Sequence, residues 1–122
     1  MNATTTTVPR LPDAAGLTSD DLADWGDVPE PLSEEVSHTS GKIMVGGGGV
    51  FPEAGYWRCT PGSWRCEVDR DEFCHFLEGD CVYTHDSGEV IPIKGGDTAW
   101  FPAGWSGRCE VRRTVAKVYL IR

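Results

Sequence analysis

From Lys42 onward the chain alternates apolar and polar side chains in short runs, and no helical spacing of apolar residues survives for any length. Alternation with a period of two marks strands that have one buried and one solvated face. It predicts strands near Lys42–Val45, Gly55–Thr60, Ser63–Val68, Glu72–Leu77, Cys81–Thr84, Glu89–Ile93, Thr98–Phe101, Gly107–Val111 and Val115–Ile121. Turn-formers such as Thr60-Pro61-Gly62 and Asp86-Ser87-Gly88 separate them. Many short strands at close spacing predict an all-β sandwich or barrel.

Ahead of Lys42 the pattern is different. Met1 to Leu11, with its run of threonines, is polar and is expected to be disordered at its start. Thr18-Ser19-Asp20-Asp21 reads as a capping box opening a short helix through Trp25, with Gly26 and Pro29 ending it. Gly46–Gly49 reads as a flexible loop. A phosphate cradle needs spaced glycines between a strand and a helix, whereas these lead into Val50-Phe51-Pro52 and another strand.

Length and charge sharpen this division. At 122 residues there is room for one domain, with 39% hydrophobic and 25% charged residues as in ordinary globular proteins. The net charge of −8 is uneven: Leu11 to Gly41 holds no Lys or Arg but carries Asp13, Asp20, Asp21, Asp24, Asp27, Glu30, Glu34 and Glu35. The organisation is therefore read as an acidic N-terminal arm over residues 1–40 and a barrel over residues 41–122. No basic stripe exists to neutralise phosphates, so nucleic acid is not expected as a partner. Neither an apolar leader nor a bilayer-length apolar run is present, so no membrane association is expected and the expected location is the cytoplasm. Five cysteines without a C-x-x-C pair fit free thiols in a reducing compartment.

Two segments carry more specific information. One is Gly62-Ser-Trp-Arg-Cys-Glu-Val-Asp-Arg-Asp-Glu72-Phe-Cys-His-Phe-Leu-Glu-Gly79; the other is Gly96-Asp97-Thr-Ala-Trp-Phe-Pro102-Ala-Gly104-Trp-Ser-Gly107. Both resemble the two motifs of the cupins. Glu72 and Gly79 stand at the separation of the first motif's glutamate and glycine, and Gly96, Asp97, Pro102 and Gly104 match the second. More narrowly, Gly55-Tyr-Trp57-Arg-Cys-Thr60-Pro61-Gly62, Glu72-Phe-Cys74, Pro102-Ala-Gly104-Trp105 and Lys117-Val-Tyr119 are similar to the ureidoglycine aminohydrolase cupin domain and to the ethanolamine-utilisation Q-type proteins. The resemblance implies a double-stranded β-helix, the cupin jelly-roll barrel, with the N-terminal arm and its one short helix outside it. It also implies a homodimer and places Glu72 inside the barrel.

The sequence departs from the motifs at the metal. The histidine pair should fall at Cys66 and Val68, or at Arg65 and Glu67, and the last histidine at Gly107, yet His38, His75 and His85 all lie elsewhere. A divalent ion wants about four protein ligands, mostly imidazole. No metal and no other cofactor is therefore expected.

Strand parity sorts the remaining side chains. Trp64, Cys66 and Val68 share one face against Arg65 and Glu67; Gly107, Cys109 and Val111 share one against Arg108, Glu110 and Arg112. Phe73, His75 and Leu77 then face away from Glu72, so Phe73 and Leu77 need a cover, either a second subunit or the arm. The candidate ligand-binding residues are Trp57, Trp64, Cys66, Cys74, Trp105 and Cys109, a largely apolar lumen of the kind that holds a small molecule. The same residues would also serve simply to fill a small barrel, and free cysteines are commonly small buried hydrophobes.

Glu72 is the candidate catalytic group. A carboxylate among Trp and Cys needs a hydrogen-bond donor or a raised pKa, and such groups become general acids or bases. It is expected near Cys66, Cys109 and the backbone of Gly107, beside a void left by the missing histidine. The expected function is binding of a small polar metabolite, nitrogenous or carboxylate, without a metal, and catalysis is left open. The alternatives are a metalloenzyme with Glu72 and Cys66, Cys74 or Cys109 as ligands, and a non-catalytic accessory or regulatory subunit.

Overall fold

Apart from single 3₁₀ turns at Ala14–Gly16 and Ser19–Asp21, the regular structure of the computed structural model, which describes residues 7–122, is all strand. The strands are β1 (Ala23–Asp27), β2 (His38–Gly47), β3 (Val50–Cys59), β4 (Gly62–Glu67), β5 (Glu72–His85), β6 (Val90–Lys94), β7 (Thr98–Phe101) and β8 (Ser106–Ile121). The disorder expected at the start of the chain concerns residues outside those described. Among the described residues no helix is long and apolar enough to cross a membrane.

Two long strands build the barrel. The first half of β5 pairs with β7 and with the end of β8, while its second half pairs with β6 and with the start of β8. β8 likewise pairs with β3 over Val115–Ile121 and with β4 over Ser106–Val111. Each strand thus passes from one layer to the other. One layer runs β1, β2, β3, β8, β5, β7 and the other β4, β8, β5, β6, all antiparallel. This is the jelly-roll architecture expected of a cupin.

The bends fall at irregular pairing between Phe76 and Cys81. Bulges of this sort turn a strand without breaking it. Gly79 is the bend's residue: its φ is +100°, and a Cβ there would lie 2.6 Å from Val115 Cα. Hence Glu72–Leu77 and Cys81–Thr84 join in β5, and Gly107–Val111 and Val115–Ile121 join in β8. The Gly46–Gly49 run is the β2–β3 hairpin tip, with φ between +62° and +95° at all its positions. That conformation suits glycine and few other residues.

The segment before Lys42 differs from the expectation in one respect. The turn Ser19–Asp21 does form, with the Thr18 N–H and hydroxyl both donating to Asp21 Oδ2 at 2.8 and 3.1 Å. It does not extend through Trp25. Ala23–Asp27 is instead a strand on the edge of β2, where the Trp25 ring packs against Gly41 at a place a Cβ would clash with it. Farther on, residues 30–32 lie along the edge of β4: Arg65 N–H donates to the Glu30 carbonyl and Leu32 N–H to that of Ser63. The acidic segment therefore covers open edges of both layers, which would otherwise invite pairing with other chains.

The core lies between the layers and comprises Val28, Cys59, Cys66, Cys74, Phe76, Cys81, Tyr83, Ile93, Phe101, Trp105, Cys109, Val111 and Val115. The inward sets read from parity are found there, with Cys66 pairing across to Gly107 and Cys109 and Val111 buried; Cys74 and Phe76, on the face that the resemblance turns inward, are buried as well, whereas Phe73 is exposed. Glu72 accordingly faces inward.

Candidate binding cavity

A cavity of about 320 Å³ opens between the layers at one end of the barrel. Trp57, Lys117 and Tyr119 reach it from adjacent β3 and β8, Glu72 from the start of β5, and Trp64 and Cys66 from β4 on the opposite layer. Tyr83 and Phe101 close its floor, and Trp25 and Glu53 stand at its side. Trp25 reaches in because the β1–β2 register shifts at that residue, so the bulge turns its ring toward the lumen.

At the centre of the wall is an ion pair. Lys117 Nζ donates to Glu72 Oε2 at 2.8 Å and to Cys74 Sγ at 3.4 Å, and the Cys74 thiol donates to the same Glu72 oxygen at 3.3 Å. The geometry follows from register. Lys117 stands opposite both Trp57 and Phe76, and its stem runs past Cys74 to reach Glu72 on the same face. The ammonium also lies 4.6 Å from the centre of the Trp57 ring. Lys117 is only 8% exposed. Burial works against its charge, but the Glu72 carboxylate outweighs that and holds its pKa above the ordinary lysine value.

A second carboxylate is held similarly. Tyr119 donates its phenol to Glu53 Oε2 at 2.7 Å, and burial, reinforced by that bond, pushes the phenol's pKa up, so it stays a donor. Among the described residues, neither Glu72 Oε1 nor Glu53 Oε1 receives a hydrogen bond from the protein.

Of the residues singled out from sequence, Glu72, Trp57, Trp64 and Cys66 line this cavity, and Cys74 lies beneath it as a partner of Glu72. Trp105 and Cys109 do not line it. Trp105 packs edge-on against Phe101 and Tyr83, with ring centres 5.1 and 6.0 Å apart, and Cys109 pairs across to Tyr83 and Trp64 in the sealed part of the core. The expected void at Gly107 is also absent. A Cβ there would lie 2.7 Å from the Trp105 ring, so the indole occupies the space where a histidine would have pointed. Glu72, expected to need a hydrogen-bond donor or a raised pKa, has an ammonium donor, and its close neighbours are Lys117 and Cys74 rather than Cys109. Lys117 and Tyr119 entered only as part of a resemblance, and Glu53 and Trp25 not at all. The inward parity of Val115, Lys117 and Tyr119 on the last strand was the signal for the first two.

Cupin barrels commonly hold a divalent ion, and the residues here do not fit one. The ammonium of Lys117 already sits on the one motif carboxylate. The nearby thiols are poor ligands, because burial pushes Cys66 up to about 11 and Cys74 up to about 12, well away from the thiolate form. Among the described residues no three His, Cys, Asp or Glu side chains converge to hold a metal.

Comparison with known proteins agrees with the architecture. Residues 46–119 match the EutQ-like cupin domain. The chain belongs to that family. Among solved structures, this EutQ-like cupin is similar to a DUF861-family protein of unknown function from Pseudomonas syringae pv. tomato, at 18% identity and a TM-score of 0.75 over 90% of its own length. It spans 46% of that protein, just under half. It is also similar to a DUF861-family protein of Thermotoga maritima, at 30% identity over 55% of this chain and 76% of that one, with a TM-score of 0.54. The EutQ protein of Clostridium difficile matches at 14% identity over 75% of each chain, with a TM-score of 0.61. No match is found among curated proteins.

Proposed function

We propose that this EutQ-like cupin binds a small polar metabolite, nitrogenous or carboxylate, in the barrel cavity without a metal, with Glu72 as the anchoring and proton-exchanging group. The observation that carries this reading is the Glu72–Lys117 pair, buried yet opening onto a cavity walled by Trp57 and Trp64. A structural ion pair needs no cavity, and a cavity that merely fills a barrel needs no charges. An apolar pocket with a few convergent polar groups is the usual makeup of a small-molecule site. Glu72 keeps one oxygen fixed by Lys117 and Cys74 while the other receives no protein donor among the described residues, which suits it to hold a ligand hydrogen and to exchange it. The resemblance to the ureidoglycine aminohydrolase cupin domain supports the same size and polarity of ligand.

The reading extends to assembly and location. Leu120, Phe73 and Trp100 stand side by side across β8, β5 and β7 by register and are 43, 40 and 50% exposed. This row supports a homodimer, a second copy being the cover that residues near Leu11 and Ala14 supply only in part. Five free, buried cysteines support a reducing compartment, the cytoplasm.

The test is a titration of small amines, ureido compounds and carboxylates into the purified protein, followed by tryptophan fluorescence and thermal shift. A saturable ligand is expected, and Glu72→Gln is expected to weaken it roughly tenfold or more. Undiminished binding by Glu72→Gln would remove Glu72 from its role. Elemental analysis after dialysis gives the other arm: a stoichiometric transition metal would favour a metal-dependent site instead.

A further inference from the structure

The charges around the cavity are not balanced. Glu53, Glu67 and Glu72 line it against Lys117, with Arg65 lying 3.7 Å from Glu67, and an adjoining depression that shares all three carboxylates adds Asp69 and Arg70. Arg70 is folded back onto the Phe51 ring at 3.7 Å. Lys117 is already engaged by Glu72, Cys74 and the face of Trp57. An incoming anion would have to take Lys117 from Glu72 while approaching Glu53. An incoming cation meets two carboxylate oxygens, Glu53 Oε1 and Glu72 Oε1, that have no protein donor among the described residues.

The walls point the same way. Trp25, Trp57 and Trp64 border one cavity, and the Trp57 and Trp64 rings are inclined at 57° with centres 6.3 Å apart. The face of an indole attracts cations through its quadrupole, more strongly when water is excluded. The structure already contains one example, the Lys117 ammonium over Trp57. Resting on the small-molecule reading above, we infer that the ligand is a small organic cation, an ammonium or guanidinium group on a short carbon skeleton. Its charged nitrogen lies between Glu53 and Glu72 and its carbons against the tryptophans. Lys117 then acts as a positioning residue, fixing one oxygen of Glu72 so that the other faces the ligand.

Three probes of matched size separate the possibilities at neutral pH: n-butylammonium, n-butanol and butyrate, each titrated into the full chain with tryptophan fluorescence and calorimetry as readouts. Saturable quenching by n-butylammonium is expected, at least roughly tenfold tighter than by the other two. The binding is also expected to weaken several-fold as salt rises to about 0.5 M, because the attraction is partly screened. Glu53→Gln, which leaves the Glu72–Lys117 ion pair itself intact, is expected to lose most of the preference for the amine. Butyrate or butanol binding as tightly as the amine would overturn the cation assignment and leave the small-molecule reading standing. No saturable binding of any probe up to about 50 mM would overturn both. Because the comparison among probes uses the unmodified protein, a misfolded variant cannot obscure the result.

Discussion

At the scale of single residues, the Glu72–Lys117 ion pair sets what a substitution in the cavity wall costs. Breaking a buried pair by removing one partner commonly costs about 3–5 kcal/mol, since the remaining charge is left without compensation. Glu72→Gln strands an ammonium that is 8% exposed. Glu72→Gln is therefore expected to cost about 3 kcal/mol and still fold. Lys117→Met should cost a similar amount. The double variant Glu72→Gln, Lys117→Met should recover at least half of the summed loss, because no buried charge remains. Urea denaturation of the four proteins checks this, and additive losses would show that the pair is not coupled. The resemblance to the cupin motifs could orient Glu72 from sequence, yet it could not supply the partner. Lys117 lies forty-five positions away, and only the pairing of β8 with β5 brings the two together.

At the scale of elements, the regular parts were legible and the continuous parts were not. Nine expected strands correspond to seven of the eight found, because β5 and β8 pass through bends that sequence reads as breaks. Gly79 and the Arg112-Arg113-Thr114 stretch interrupt the apolar alternation where the strands change layer. The segment Ala23–Asp27 misled for another reason: its local signals favour a helix start, but the contact that makes it a strand, Trp25 on Gly41, is with a distant part of the chain. Its fastening is electrostatic as well. His38 Nδ1 lies 2.8 Å from Asp27 and Nε2 2.7 Å from Asp24, and these carboxylates, Asp27 first, raise the imidazole's pKa above 6.5. A raised pKa means that the stabilisation is fully present below the unfolded value and is lost as pH rises through the folded one. Quenching of tryptophan fluorescence by acrylamide should therefore increase as pH rises from about 6.5 through the raised folded-state pKa of His38 and β1 loosens. His38→Gln should remove that step, and an identical pH profile in the variant would dissociate His38 from it.

For the whole molecule, assembly and access are the open properties, and each has a structural handle. If the row of Leu120, Phe73 and Trp100 is a dimer face, light scattering should give twice the chain mass at micromolar concentration. Phe73→Glu should then return a folded monomer, since three large exposed apolar side chains in one row lose their cover together. A monomer mass for the unmodified protein would exclude that assembly. The cavity presents a different matter, because one side of it is built from the outermost strand. β1 has β2 as its strand neighbour in the sheet and holds Trp25 over the lumen. Edge elements open locally at far lower free energy than the core, and do so while the rest of the fold remains intact. The barrel therefore has one detachable stave. Access to the cavity past Trp25 is expected to follow how often that stave lifts, and so Gly41, His38 and the β1–β2 hydrogen bonds. Strengthening the Cys- and Phe-lined interior would raise the melting temperature and leave the rate of exchange untouched.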